Sequence, residues 1–343
     1  MNRPSPSSAA RENHGPASHL ATAELCLQRL DFMGARSILR KRLDQGADDF
    51  KTWNLLGVCW AQMGDYGRAV EVFRRFSERK NAKTVRHKAM FNRGLALFFR
   101  DLEQVGDCSV ARTMGPRAMP TTVQPDQLPR DPFTEAVSIW QELLRLRTHS
   151  KDIFFAHLSF AFLQRGDLDR ALDCMMSALS MSEHFYLTQY ILGRLFLDLF
   201  YLSAEGSHYP INRTVAEFFE VEEFEIMFKE GDRCAVQRET HLDIAMQAFL
   251  EARRQNPMSL ESTLGLSHTY LLAGMLEEAY ESLAHAEALA PDSLQTLEMA
   301  LVLHQRSAAP PETIRTLVNR IREQRRLTPR QPVTNILPAH YLL

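Results

Sequence analysis

With 343 residues, a formal net charge of −2 and 45% hydrophobic residues, the chain has room for two ordinary domains or one continuous repeat array. It carries no global field that would draw it to nucleic acid or an anionic membrane. Its longest apolar runs, 89–99 and 190–201, are broken by Asn92, Arg93, Arg194 and Asp198, well short of the roughly 20 apolar residues that a bilayer crossing requires.

The opening MNRPSPSSAARENHGP has no apolar stretch after its first arginine, so residues 1–17 read as a disordered arm and neither a signal peptide nor an anchor. Cys26, Cys59, Cys108, Cys174 and Cys234 form no CxxC pair. They read as small buried hydrophobes in a reducing compartment, and with no address signal the expected location is cytoplasmic.

The first clear element is WNLLGVCWAQMGDYGRAVEVF, residues 53–73. Trp53, Leu56, Gly57 and Trp60 fall on one face of a helix, Gly64 turns the chain, and Ala69, Phe73 and Phe76 form the facing stripe of a second helix. The same spacing stands 34 residues earlier, where Ala23, Cys26, Ala35 and Leu39 match Gly57, Trp60, Ala69 and Phe73. Gly94 and Leu97 open a third copy whose second helix is delayed to Ala136, Trp140 and Leu143, so about 30 residues are inserted at the turn, which surface turns accept cheaply. A fourth copy follows with Phe155, Leu158, Phe162, Gly166, Ala171, Met175 and Ala178. Leu192, Gly193 and Phe196 start a fifth, completed by Ala245, Phe249, Ala252 and Pro257 after an insertion of about 40 residues. The sixth has Leu266, Tyr270, Gly274, Ala279, Leu283, Ala286 and Pro291, and a degenerate seventh pair over 297–306 and 312–325 caps the stack. Small residues let the two helices of a hairpin cross closely, aromatic and aliphatic positions fill the space between hairpins, and the prolines end second helices.

This pattern resembles the tetratricopeptide repeat family over about 18–325 less the insertions, with alanine recurring after 34 residues at 35 and 69 and again at 245 and 279. The resemblance implies an all-α, right-handed superhelical solenoid of about seven hairpins, with insertions at about 101–131 and 201–240 and a C-terminal tail at 326–343. It also implies a concave groove lined by first helices, in which the family holds extended or helical peptides. By repeat register that groove would receive Asn54, Lys88, Phe91, Asn92, Phe99, His157, Phe160, Tyr190, Arg194 and Asp198. Some family members grip a peptide's terminal carboxylate with lysine and asparagine. Asn54, Lys88 and Asn92 resemble that clamp, but Val58 and Leu95 occupy places where it needs polar groups. An apolar groove for an amphipathic helix, or one filled by an insertion or tail, suits these residues better.

The first insertion, MGPRAMPTTVQPDQLPRDP and its surroundings, has the proline density of a flexible loop. In the second, TVAEFFEVEEFEIMFKEGDR sets Phe218, Phe219, Phe224 and Phe228 among Glu217, Glu220, Glu222, Glu223 and Glu225. A helix is expected there, its aromatic side buried on the array or docked on a partner, since phenylalanines this dense aggregate when exposed. Arg315, Arg320, Arg322, Arg325, Arg326 and Arg330 make the last helix basic, a solvated face or a site for an acidic partner. The closing NILPAHYLL is apolar enough to dock.

Twelve histidines show no HExxH or other ligand spacing, and no GxxxxGK[ST], GxGxxG or GxSxG is present, so no metal, cofactor or catalytic residue is expected. The function expected is a non-catalytic scaffold, adaptor or co-chaperone binding a protein or peptide, with no nucleic acid and no membrane insertion; the sequence leaves the oligomeric state open. A peptide-sensing regulator whose superhelix changes shape is the alternative. An enzyme built from the glutamate-rich insertion with His208, Asp232 and His241 is the weakest, because those residues have no recognised spacing.

Overall fold

The computed structural model describes residues 16–28, 31–78, 83–105, 133–146, 151–181, 186–203, 209–222 and 225–327. Residues 1–15 of the N-terminal arm, the proline-rich loop, His208, Phe224 and residues 328–343 of the C-terminal tail lie outside the described residues. Within them the repeat array is an all-α solenoid of seven stacked hairpins, and both split hairpins are completed across their insertions.

The first hairpin pairs α1 (Pro16–Gln28) with α2 (Phe32–Asp44), and the second pairs α3 (Phe50–Gln62) with α4 (Tyr66–Ser77). The third joins α5 (Lys83–Val105) to α6 (Thr134–Arg145), and the fourth α7 (Lys151–Gln164) to α8 (Leu168–Met181). In the fifth, α9 (Tyr186–Leu202) meets its partner α11 (Arg238–Gln255) only after the second insertion. The sixth is α12 (Leu260–Leu272) with α13 (Leu276–Leu289), the seventh α14 (Leu294–Arg306) with α15 (Pro311–Leu327). The described helices of the array run from 16 to 327, where about 18–325 is expected, and α5 continues four residues past 101. Helix ends fray over steps of this size.

Packing explains the repeat. A Cβ on Gly57 would sit 2.5 Å from the Phe73 ring, and one on Gly94 would sit 2.6 Å from Trp140 Nε1. Phe249 is wedged between two first helices, 2.7 Å from a Cβ built on Gly193 and 2.6 Å from one built on Gly265. Where serine stands at the Gly57 position, its hydroxyl is absorbed locally: Ser159 Oγ donates to the Ala171 carbonyl and Ser267 Oγ to the Ala279 carbonyl, both at 2.8 Å. Ala35, Ala69, Ala136, Ala171, Ala245 and Ala279 are all fully buried at these crossings. Gly64, Gly166 and Gly274 end their first helices at φ of 76°, 73° and 78°, a left-handed conformation that a side chain resists. Asp49, Asp65 and Ser259 cap the starts of α3, α4 and α12 by accepting from backbone N–H groups.

The second insertion departs from the helix expected for it. Among the described residues of the insertion the α-helical part is the short α10 (Arg213–Phe218), and two residues beyond it Glu220 turns the chain at a φ of 53°. The chain then forms a three-stranded antiparallel sheet of β1 (Ile211–Asn212), β2 (Ile226–Glu230) and β3 (Arg233–Val236) in the order β1-β3-β2. Gly231 at φ 59° and Asp232 make the tight turn between β2 and β3. Gly-Asp between two strand-forming runs is a hairpin signal, and it outweighs the helical spacing of the aromatics upstream. Cys234, Ala235 and Val236 are buried, so β3 seats the sheet on the array.

Candidate functional site on the first-helix face

Most of the expected groove residues are buried. Phe91 is fully buried, with its ring edge-on to His157 at 4.9 Å and tilted against Phe154 at 5.4 Å and Trp140 at 6.3 Å. Phe99 stacks on Tyr66 at 6.1 Å, and Phe160 lies 5.3 Å from Phe98. These aromatics fill the space between α5, α6 and α7 instead of lining an open channel, because large rings on adjoining first helices reach one another. Asn54 and Asn92 are buried too, and Asn92 Nδ2 donates to Asn54 Oδ1 at 2.8 Å across α3 and α5. Engaged with each other, they do not make the carboxylate grip. Lys88 is half-buried, and Lys51 pairs with Glu24 at 2.8 Å. His157 shares a 2.7 Å hydrogen bond with the Ile153 carbonyl, and burial pushes its pKa down to about 4.

Hairpins five to seven differ. Arg194 Nη1 donates to the Tyr190 hydroxyl at 2.7 Å, and both residues are buried on α9 with Asp198 one turn further on. The Tyr201 hydroxyl meets His268 Nε2 at 2.7 Å, linking α9 to α12. Burial, then the charges of Arg194 and Arg306, push the His268 pKa down to about 4. The Tyr201 hydroxyl is pushed up to about 12 by burial, against the opposing pull of Arg306 and Arg238, with Asp198 adding to the rise. Arg238 lies over the Phe200 ring at 3.9 Å and donates from Nε to the Phe200 carbonyl at 3.2 Å. Three arginines and one aspartate therefore act around the Tyr201–His268 pair, and their balance is positive. Arg306 is exposed and Arg238 half-buried, so the positive charge opens to solvent. Such a site offers a neutral imidazole, a phenol and guanidinium forks to an anionic group.

Tyr190, Arg194 and Asp198 belong to both the expected groove and this cluster; Tyr201, Arg238, His268 and Arg306 were not expected in a site. A signal existed for His268. It follows Ser267 as Arg194 follows Gly193, the same step in the repeat.

In the insertion, Phe218 is 42% exposed, whereas Phe219 is half-buried and packs edge-on against Phe196 at 4.8 Å. Phe228 stands opposite Ala235 in the sheet register. Of the residues considered for catalysis, Asp232 is exposed at the sheet turn, while His241 is fully buried against Phe196 at 5.9 Å, its pKa pushed down to about 4 by burial. Among the described residues, no group of three or more His, Cys, Asp and Glu is placed to hold a metal ion, and no helix is long and apolar enough to cross a membrane.

No family model and no curated protein matches the chain. Among solved structures, PilF of Pseudomonas aeruginosa is 13% identical, with 83% of this chain and 96% of that one covered at a TM-score of 0.46. TTC0263, a thermophilic TPR protein of Thermus thermophilus, is 15% identical, covering 57% and 84% at a TM-score of 0.42. MamA of Desulfovibrio magneticus RS-1, from residue 41 to its end, is 14% identical, covering 57% and 86% at 0.37. The description of this chain as a tetratricopeptide-like solenoid rests on its own seven hairpins and their packing.

Proposed function

We propose that the chain is a non-catalytic interaction scaffold that holds an acidic peptide segment of another protein against the first helices of hairpins five to seven. The supporting observation is the positive balance of Arg194, Arg238, Arg306 and Asp198 around the hydrogen-bonded Tyr201–His268 pair. Water is largely excluded from Arg194 and His268, so an incoming carboxylate meets charges that are weakly screened, and Arg306 at the rim steers its approach. Within this reading, the array serves as a cytoplasmic adaptor or co-chaperone. The rigid aromatic packing of hairpins two to four presents the site without itself making contact.

Selection from a random peptide display library tests the reading. The intact protein is expected to enrich peptides rich in Asp and Glu, and R238E/R306E is expected to lose them while keeping its helicity. Enrichment of apolar peptides alone, or acidic peptides retained by R238E/R306E, would overturn the assignment to this site.

A further inference from the structure

At the other end of the array, Trp60 on α3 is almost wholly covered, and three arginines lie over its ring. The guanidinium carbons of Arg36, Arg40 and Arg68 lie 4.9, 5.3 and 4.6 Å from its ring centroid, the first two from α2 and the third from α4. Arg68 pairs with Asp65 at 3.4 Å, whereas Arg36 and Arg40 have no carboxylate partner among the described residues. Stacking on the indole holds the three side chains in place. It also gathers three like charges on one ring, where bound carboxylates would relieve their repulsion.

The structure contains a matching surface of opposite sign. Where the second insertion meets α11, Glu225 accepts from the Thr240 hydroxyl at 3.0 Å and from the Glu222 amide at 2.7 Å, which fixes it beside Glu239 and Asp243. Partial burial and then the charges of Glu225 and Glu239 hold the Asp243 carboxyl above its ordinary range. Glu222, Glu239 and Asp243 are exposed, so this is a crowded acidic edge that cations would relieve. It is fixed to its own end of the molecule: Arg233 donates from Nη2 and Nη1 to the two Asp169 oxygens at 2.8 and 3.2 Å, and Phe219 is seated on Phe196. An edge pinned to hairpins four and five has no slack to fold back onto the arginines of hairpins one and two.

We propose that the chain self-associates head to tail, the arginines around Trp60 of one copy docking on the Glu222, Glu239 and Asp243 edge of the next. The two surfaces differ, so the contact is heterologous and a bound pair leaves one surface of each kind open for growth into rings or open chains. This contact uses neither Tyr201 nor His268 and stands apart from the peptide site.

Sedimentation velocity on the intact chain tests the proposal, with circular dichroism as the control for folding. Mass is expected to rise with concentration at low salt and to fall back as salt screens the contact. R36Q/R40Q/R68Q and E239Q/D243Q are each expected to stay monomeric, yet an equimolar mixture should give a discrete dimer, since each variant supplies the surface that the other lacks. If stripping Trp60 of its cover disturbs folding, R40E alone, on an exposed side chain, carries the same test. A wild-type chain that stays monomeric over the micromolar range, or association that neither set of substitutions weakens, would overturn the proposal.

Discussion

In hairpins two, three and four the residue that follows the small crossing position is Val58, Leu95 or Phe160, all buried; in hairpins five and six it is Arg194 or His268. One repeat position therefore serves opposite ends along the same array. In the N-terminal part it extends a core in which Phe91, Phe98, Phe99, Phe154 and Trp140 interlock. In the C-terminal part it places charge and hydrogen-bonding capacity on the face that the first helices form. The backbone requirement is identical in both, a small residue at the crossing, so the neighbouring position is free to take either chemistry. A repeat fixes the scaffold and leaves the surface to be written one hairpin at a time.

The contrast is broken most severely at Phe91. Phe91→Ala would empty the junction of Trp140, Phe154 and His157 and is expected to cost about 3–5 kcal/mol. Urea unfolding is the measurement. The same substitution is expected to leave the affinity of any still-folded protein for acidic peptides unchanged. A Phe91→Ala protein of normal stability that has lost peptide binding would show that the N-terminal rings form a groove after all.

The histidines sharpen the contrast because they are buried in both halves for different reasons. His157 is held down by desolvation alone, opposed by its Ile153 carbonyl bond, whereas His268 also feels Arg194 and Arg306. Arg306→Gln is therefore expected to raise the His268 pKa from about 4 and leave that of His157 in place, as NMR titration would show. The sign for stability follows by linkage. His157, His241 and His268 have folded values near 4 against an ordinary value of 6.5, so between these the unfolded chain binds more protons. Their contribution is complete above about pH 6.5 and is lost progressively as the pH falls to about 4, by a few kcal/mol at most for each histidine. Thermal melts across that window should fall steeply in the wild type and less in His241→Phe.

Overpacking the crossing common to both halves has a smaller effect. Ala171→Leu would push α7 from α8 and break the Ser159 hydrogen bond to the Ala171 carbonyl, for a cost of about 1–3 kcal/mol. Full stability in that variant would mean that the hairpin register is misplaced.

Much of this was legible in the sequence because the constraints are steric. Gly57, Gly94 and Gly193 face Phe73, Trp140 and Phe249, and such pairs keep their spacing in each helix even when about 30 or 40 inserted residues separate the two helices of a hairpin. What lies between adjoining first helices was not legible. Phe91 and Arg194 both fall at positions expected by repeat register to line a groove, yet both are buried, and whether such a side chain meets solvent or another ring depends on its neighbours' size. The insertion was misread for a related reason: the spacing of Phe218, Phe219 and Phe224 fits a helical face, while the turn at Gly231 and Asp232 decides the pairing of β2 with β3.

The smallest effect belongs to the insertion's attachment. Arg233 bridges Asp169 bidentately and also donates to the Pro210 carbonyl at 2.6 Å from Nη2 and 3.0 Å from Nε. The ion pair is nearly half exposed on both sides, so Arg233→Ala is expected to cost at most about 1 kcal/mol and to shift the melting temperature little. Local order should change more than global stability, because these bonds tie β1 and β3 to α8 while α9 and α11 hold each other through Phe249 and Gly193. Faster amide exchange confined to the sheet, with α9 and α11 still protected, is the expected pattern. Exchange that spreads into α11 would mean that the sheet helps to close the fifth hairpin, and that the polar half of the array depends on its insertion in a way the aromatic half does not.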